Sequence, residues 1–121
     1  MKRDMDLIRL ILLEVEKHPY GPAGIELTIE GFTSNEVHYH VMLLSQAGLI
    51  EATDHAVGGQ PTEWYPTTLT WEGHEFLEAS KDEGRWNKAK AITKEKVGGT
   101  VFEVFKSVLV EMAKNAALGS L

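Results

Sequence analysis

Histidines are the side chains of this chain best suited to binding a metal or transferring a proton near neutral pH. His38 and His40 stand two residues apart in a segment with helical periodicity. Their rings therefore point in different directions and cannot hold one metal ion as an i, i+4 pair would. His74 is followed by Glu75 but begins no His-Glu-x-x-His signature. The histidine pattern predicts no metal site.

Other catalytic patterns are also missing from the sequence. The chain has no cysteine, which excludes a thiolate nucleophile and a thiolate zinc site. Its serines lack the nucleophile-elbow pattern, and the pairs Gly58-Gly59 and Gly98-Gly99 lack the lysine and hydroxyl residue of a phosphate loop. We expect no catalytic activity and no cofactor.

Composition limits the location and the partners. The apolar run at residues 10–13 is far too short to span a membrane, and the lack of cysteine fits the reducing cytoplasm where we expect the protein. The formal net charge of -6 argues against general affinity for nucleic acid, because duplex DNA is bound largely through Lys and Arg. A local basic stripe stays compatible with that charge.

The segment from Thr33 to Ile50 has the strongest helix signals in the chain. Thr33 and Glu36 have the spacing of a capping box, and Gly48 supplies a C-terminal stop. Apolar residues recur at helical spacing between these ends, at Val37, Val41, Leu44 and Ala47. A helix followed by a strand is predicted here.

Alternation and turn residues predict three strands around this helix. Residues 25–30 alternate apolar and polar side chains, which indicates a short, half-exposed strand. Residues 51–56 and 62–68 read as two strands joined at Gly58 and Gly59, a small hairpin or wing. We find no full-length helix between the opening helix and Thr33.

Four further helices are indicated by caps and periodicity. The opening helix covers residues 4–17, and Thr70 caps a helix whose first turn contains Gly73, a position that indicates close approach of another backbone. Residues 85–97 form a lysine-rich helix, and Thr100 with Glu103 forms a second capping box before the last one. The apolar stripes of residues 5–15 and 101–116 pack on each other or form a homodimer interface.

Two runs resemble known regulators. VHYHVMLLSQAGLI is similar to the recognition-helix segment of arsenic-repressor-type winged-helix regulators, and YPTTLTWEGHEFL is similar to the segment that leaves the wing in many of them. MKRDMDLIRLIL, YHVMLLSQAGLIEA, WYPTTLTWEGHEFLEA and RWNKAK together resemble the bacterial and phage domain-of-unknown-function family twenty-five thirteen. That family implies no established activity.

The regulator resemblance implies a set of DNA-contacting or partner-contacting residues. On the helix these are Asn35, His38, Tyr39, Met42 and Ser45, and on the wing they are His55 and Gln60. The same resemblance places His40 at a structural position beside the core. Neither Lys nor Arg occurs from Thr33 to Ile50, although Arg and Lys make the commonest specific contacts to guanine.

The lysine-rich helix supplies the other candidate contacts, Arg85 and Lys88. Its cations form either a solvated face or a surface that follows phosphates. Our overall interpretation is an α+β winged-helix domain at residues 1–80 with a C-terminal helical extension at residues 81–121. We expect a DNA-binding or transcription-regulatory protein of a phage or mobile element. The alternative is a winged helix that binds a protein and no DNA.

Overall fold

The computed structural model describes residues 1–58, 63–97 and 101–119. Within these ranges the protein is α+β, with five helices and one two-stranded antiparallel sheet in a winged-helix-like arrangement. The helices are α1 (Met5–Lys17), α2 (Ser34–Gln46), α3 (Trp71–Ser80), α4 (Glu83–Val97) and α5 (Phe102–Gly119), and the strands are β1 (Ile50–Asp54) and β2 (Trp64–Leu69). The predicted fold class is confirmed.

The chain forms two compact units, a first unit at Met1–His74 and a second unit at Glu75–Leu121. The division falls inside α3, six residues before the end of that helix at Ser80. The sequence placed the boundary after residue 80. The predicted contact residues from Asn35 to His55 belong to the first unit, and Arg85 and Lys88 belong to the second.

Helix α1 begins where its sequence predicted. The Asp4 carboxylate accepts from the backbone N–H groups of Asp6 at 2.9 Å and Leu7 at 3.2 Å, which caps the first turn. Its apolar stripe lies inside the first unit, with buried side chains at Met5, Leu7, Ile8, Ile11, Leu12 and Val15. The helix is therefore held to the core by one wide face.

Helix α2 confirms the predicted capping box. The Thr33 hydroxyl accepts from the Glu36 N–H at 3.1 Å, while the Glu36 carboxylate accepts from the Thr33 N–H at 2.9 Å. Gly48 takes a φ of 76°, the left-handed conformation expected just after a helix end. The face toward the core buries Val37, His40, Val41 and Leu44.

The capping box makes part of the stability depend on pH. Hydrogen bonds from the backbone and the side chain of Thr33 hold the pKa of Glu36 below its ordinary value of 4.5. A carboxylate with a lowered folded-state pKa stabilises the fold above its unfolded pKa, and this contribution disappears as the pH falls through the folded pKa. We expect the difference in urea midpoint between wild type and Glu36→Gln to shrink below pH 4.5. A difference that is constant with pH would contradict this prediction.

In the wing, strand β1 ends at Asp54, two residues before its predicted end at residue 56. Strand β1 pairs with β2 from Ile50 opposite Leu69 to Asp54 opposite Trp64, with an irregularity between Glu51 and Ala52. The pairing continues one step further, because the His55 N–H donates to the Glu63 carbonyl at 2.8 Å. The predicted turn residue Gly59 and the first predicted residue of the second strand, Thr62, lie outside the described residues.

The predicted strand at residues 25–30 is wrong. The alternating burial is present, since Ile25 and Ile29 are buried while Glu26 is exposed, but no strand ladder forms. The Ile25 N–H donates to the Pro66 carbonyl at 2.8 Å, and proline has no N–H to return the bond. The segment is packed by its apolar side chains without joining the sheet.

The link from the wing into α3 confirms the expectation for Gly73. The Thr70 hydroxyl accepts from the Gly73 N–H at 3.0 Å and donates to the Gly48 carbonyl at 2.6 Å. A Cβ at Gly73 would collide with the carbonyl oxygen of Leu49. Glycine at this position lets the first turn of α3 approach the backbone at the start of β1.

Three rings form the core of the second unit. Trp86 contacts Phe105 edge to face with ring centroids 4.9 Å apart, and Phe76 lies 6.3 Å from Trp86. Helix α4 begins at Glu83, two residues before the predicted start, because the Asp82 carboxylate caps it by accepting from the Arg85 N–H at 2.7 Å. In α5 the buried positions are Phe105 and Leu109. Thr100, of the second predicted capping box, lies outside the described residues.

Candidate functional site

The outward side of α2 carries four residues at helical spacing, which we call the α2 face: Asn35, Tyr39, Met42 and Gln46. Asn35 and Gln46 are exposed, and Tyr39 and Met42 are half-buried. Gln46 was absent from the residues predicted by sequence. Its position seven residues after Tyr39 was the signal that could have identified it.

His38 lies on the flank of α2 that meets the wing. Its Nδ1 is 2.9 Å from the carbonyl oxygen of Trp64 in β2. Only a donor can hydrogen-bond to a carbonyl, so Nδ1 carries the proton in this contact. Ser45, seven residues later, is on the same flank and half-buried. These two predicted contact residues are therefore set to one side of the α2 face.

The wing brings His38 and His55 into contact with the ring of one tyrosine. The Tyr65 ring contacts His38 edge to face at 5.2 Å and His55 at 4.8 Å between centroids. The Tyr65 hydroxyl donates to the Glu63 carboxylate at 3.1 Å, and this bond raises the pKa of Tyr65 above its ordinary value of 10.0. The cluster thus connects α2 to the wing and includes the exposed carboxylate of Glu63.

Tyr65 and Glu63 were not predicted as site residues. They stand two residues apart at the start of β2, so they share one face of the strand. Gly24 holds Tyr65 from another side, because a Cβ at Gly24 would come within 2.7 Å of the Tyr65 Cβ. This contact joins residues far apart in sequence, and no local pattern signals it.

His40 has a structural role, as the resemblance implied. Its side chain is 0% exposed, its Nδ1 is 2.8 Å from the Glu36 carbonyl oxygen, and its Nε2 accepts from the Asp4 N–H at 2.8 Å. Both ring nitrogens are therefore used inside the protein. The ring joins the first residue of the α1 cap to the middle of α2.

Charge separates the two units. The first unit contains four Lys and Arg against eleven Asp and Glu, a formal charge of -7, and the second contains eight against seven, a formal charge of +1. No Lys or Arg occurs between Lys17 and Lys81 in the sequence. The α2 face and the wing are therefore without a cation, while the wing carries Glu51, Asp54 and Glu63.

The predicted contacts in the second unit do not form one basic stripe. Arg85 is half-buried and its Nε donates to the Ala79 carbonyl at 3.3 Å, whereas Lys88 is exposed. The helical period of about 100° per residue places Lys90 and Lys94 on the other side of the buried Trp86 and Ala89. The cations thus flank the core contact of α4 on both sides.

Two further observations limit the chemistry. Within the described ranges, no three His, Asp or Glu side chains are grouped closely enough to hold a metal ion. No helix of that same part of the chain is long and apolar enough to cross a membrane. Gln60, the remaining predicted contact, lies outside the described residues.

Comparison with known proteins gives a family but no described activity. A family model for a hypothetical protein, DUF2513, matches residues 2–100. An uncharacterized protein of Haemophilus influenzae is 39% identical over 111 residues, which cover 89% of this chain and 92% of that protein. No solved structure matches the chain at a significant level.

Proposed function

The chain belongs to the DUF2513 family, and we propose that its first unit is a winged-helix module that binds a protein partner through the α2 face. The observation that carries the proposal is the charge around that face. The α2 face has no cation, and the neighbouring wing carries Glu51, Asp54 and Glu63. Such a surface repels phosphates, because duplex DNA is bound by neutralising its charge.

The chemistry of the α2 face favours a protein surface. Tyr39 and Met42 offer apolar contact area in the middle, and the amides of Asn35 and Gln46 stand at the two ends. Aromatic residues and methionine are enriched at protein interfaces, where tyrosine is a frequent energetic anchor. The acidic wing beside this face favours a partner with basic residues at the rim of its contact.

A site-specific photo-crosslinker tests the proposal in cells that naturally encode the chain. A benzophenone amino acid at Tyr39 is expected to form covalent adducts with one protein, and the adducts survive nuclease treatment. The matched control is the same amino acid at Tyr20, an exposed tyrosine of the first unit that is distant in sequence from α2. Nuclease-sensitive adducts, or equal protein adducts from both positions, would count against the proposal.

Removing the central side chain is expected to weaken the complex without unfolding the unit. We expect Tyr39→Ala to reduce affinity for the captured protein at least tenfold, which corresponds to roughly 1.4 kcal/mol and is modest for an interface anchor. Isothermal titration with purified components measures this change, with Tyr20→Ala as the control. Equal affinities of wild type and Tyr39→Ala would show that Tyr39 does not contribute to the interface.

A DNA-binding or transcription-regulatory role is the second candidate. It is favoured by the amides of Asn35 and Gln46, since Asn and Gln can pair with both hydrogen-bonding groups of adenine in the major groove. Lys2 and Arg3 precede the Asp4 N–H that is bonded to His40 of α2, so cations are close to the same helix. Both candidate roles are binding functions without catalysis, and the absence of cysteine favours the cytoplasm as their location.

A further inference from the structure

Helix α1 has a second stripe, opposite its buried face, whose members are spaced by four, three and four residues. These residues are Asp6, Leu10, Leu13 and Lys17. Leu10 is 37% exposed and Leu13 is half-buried, although both are leucines on a helix that already buries six side chains. Two leucines between an acid at one end and a base at the other can form the seam of a short helix pair.

A groove runs beside the C-terminal half of this stripe. It has a volume of about 340 Å³ and is lined by Leu10, Leu13, Glu14, Lys17, Thr28, Ile29 and Glu30. Three of these side chains are apolar, Leu10, Leu13 and Ile29, and the Glu14 and Lys17 side chains are bonded to each other at 2.9 Å. The groove thus combines apolar and charged side chains, and its place beside α1 suits a side chain of a neighbouring helix.

The charges along the stripe are self-complementary when two copies of α1 pack antiparallel. Around a point between Ile11 and Leu12, Leu10 is symmetric with Leu13 and Asp6 is symmetric with Lys17. In an antiparallel pair of identical helices, each leucine therefore meets the other leucine, and each Asp6 meets Lys17 of the second copy. An isologous interface requires this kind of self-complementary surface.

We propose that the chain forms a homodimer in which the stripe of Asp6, Leu10, Leu13 and Lys17 packs antiparallel on the same stripe of a second copy. The occupant of each groove is Leu10 of the other copy. The apolar stripe predicted at residues 5–15 therefore has two sides. Its buried side, with Met5, Ile8, Leu12 and Val15, packs in the monomer core, and only its outer side takes part in the proposed dimer. The proposal is independent of the partner proposed for α2.

The interface is small, so the dimer is expected to be concentration-dependent. Standard stable interfaces bury roughly 1,200 to 2,000 Å², which is more than one pair of 13-residue helices with a shallow groove provides. We expect dissociation in the micromolar range. In sedimentation equilibrium the mass should rise from 13.5 kDa toward twice that value as the concentration increases.

A charge exchange tests the antiparallel register. Asp6→Lys and Lys17→Asp should each weaken the dimer at least tenfold, because each places like charges opposite one another. The double variant, Asp6→Lys with Lys17→Asp on one chain, should regain the dimer. Glu26→Lys, an exposed change of equal charge outside the stripe, should leave it unchanged. Circular dichroism controls for folding.

Disulfide trapping gives a second test that does not depend on charge. The chain has no cysteine, so Leu10→Cys and Leu13→Cys chains each carry one thiol. In an equal mixture of the two variants, a disulfide between one chain of each kind should form faster than a disulfide between two chains of the same kind. The reason is that identical positions in the two helices are offset by about 4.5 Å along the helix axes. A wild type that stays monomeric at high micromolar concentration, or a dimer that is insensitive to both single charge variants, would overturn the proposal. A failure of the double variant to regain the dimer would also overturn it.

Discussion

Gly73→Ala should lower the free energy of unfolding by about 3 kcal/mol or more, the upper part of the range for overpacking. The methyl group would overlap the Leu49 carbonyl oxygen, and it would also come within 2.9 Å of the Leu49 carbonyl carbon. The obstacle is backbone, held in place because the same carbonyl accepts from the Thr70 N–H at 3.1 Å. The junction of α2, β1 and α3 cannot open without breaking these bonds.

A matched glycine separates this clash from the general effect of adding a methyl group. Gly58 has no atom within 4 Å of an added Cβ and no positive φ, so Gly58→Ala should leave stability unchanged within about 0.5 kcal/mol. Urea unfolding of both variants, followed by far-ultraviolet circular dichroism, gives the comparison. Similar midpoints for Gly73→Ala and wild type would show that α3 does not approach Leu49 this closely.

The second large effect is expected from His40→Ala, a loss of about 2 to 4 kcal/mol. The substitution leaves the Asp4 N–H without the Nε2 acceptor and opens a cavity where a fully buried ring stood. The Glu36 carbonyl still accepts its helical hydrogen bond, so the cost comes mainly from Asp4 and the cavity. If His40 instead contacted a partner at the protein surface, its removal would change the binding affinity and leave the free energy of unfolding unchanged.

Two further variants test the causes of the stability loss expected for His40→Ala. His40→Leu restores most of the volume but leaves the Asp4 N–H unsatisfied, so it should recover only part of the stability. His74→Ala, at an exposed histidine of the same unit, should have little effect. A His40→Ala protein as stable as His74→Ala would contradict the structural role of this histidine.

Local chemistry explains which elements were predictable. The capping box of Thr33 and Glu36 and the helix stop at Gly48 depend on residues close together in sequence. The close approach at Gly73 was predictable because a glycine in the first turn of a helix indicates a neighbouring backbone. The segment at residues 25–30 has the alternation of a strand, but ladder formation depends on what lies beside it. There it meets Pro66, which cannot return a hydrogen bond.

The candidate site was predictable only in part, because helical spacing does not show what covers each side of a helix. Asn35, Tyr39 and Met42 lie on the outward side of α2, as the sequence indicated. His38 is turned to the wing by the Trp64 carbonyl, and this contact depends on a hairpin more than twenty residues later in the chain. Tyr65 and its contact with Gly24 likewise require the folded wing.

The charge of the first unit leads to the most direct test of the proposed function. Fluorescence anisotropy of mixed-sequence duplex DNA, titrated with the full chain at low and at physiological salt, detects non-specific binding even when no preferred site is known. With a formal charge of -7 on the first unit and no cation on α2 or the described wing, we expect no binding at either salt concentration. Binding at low salt that falls steeply as salt is added would contradict this expectation and favour the DNA-binding alternative.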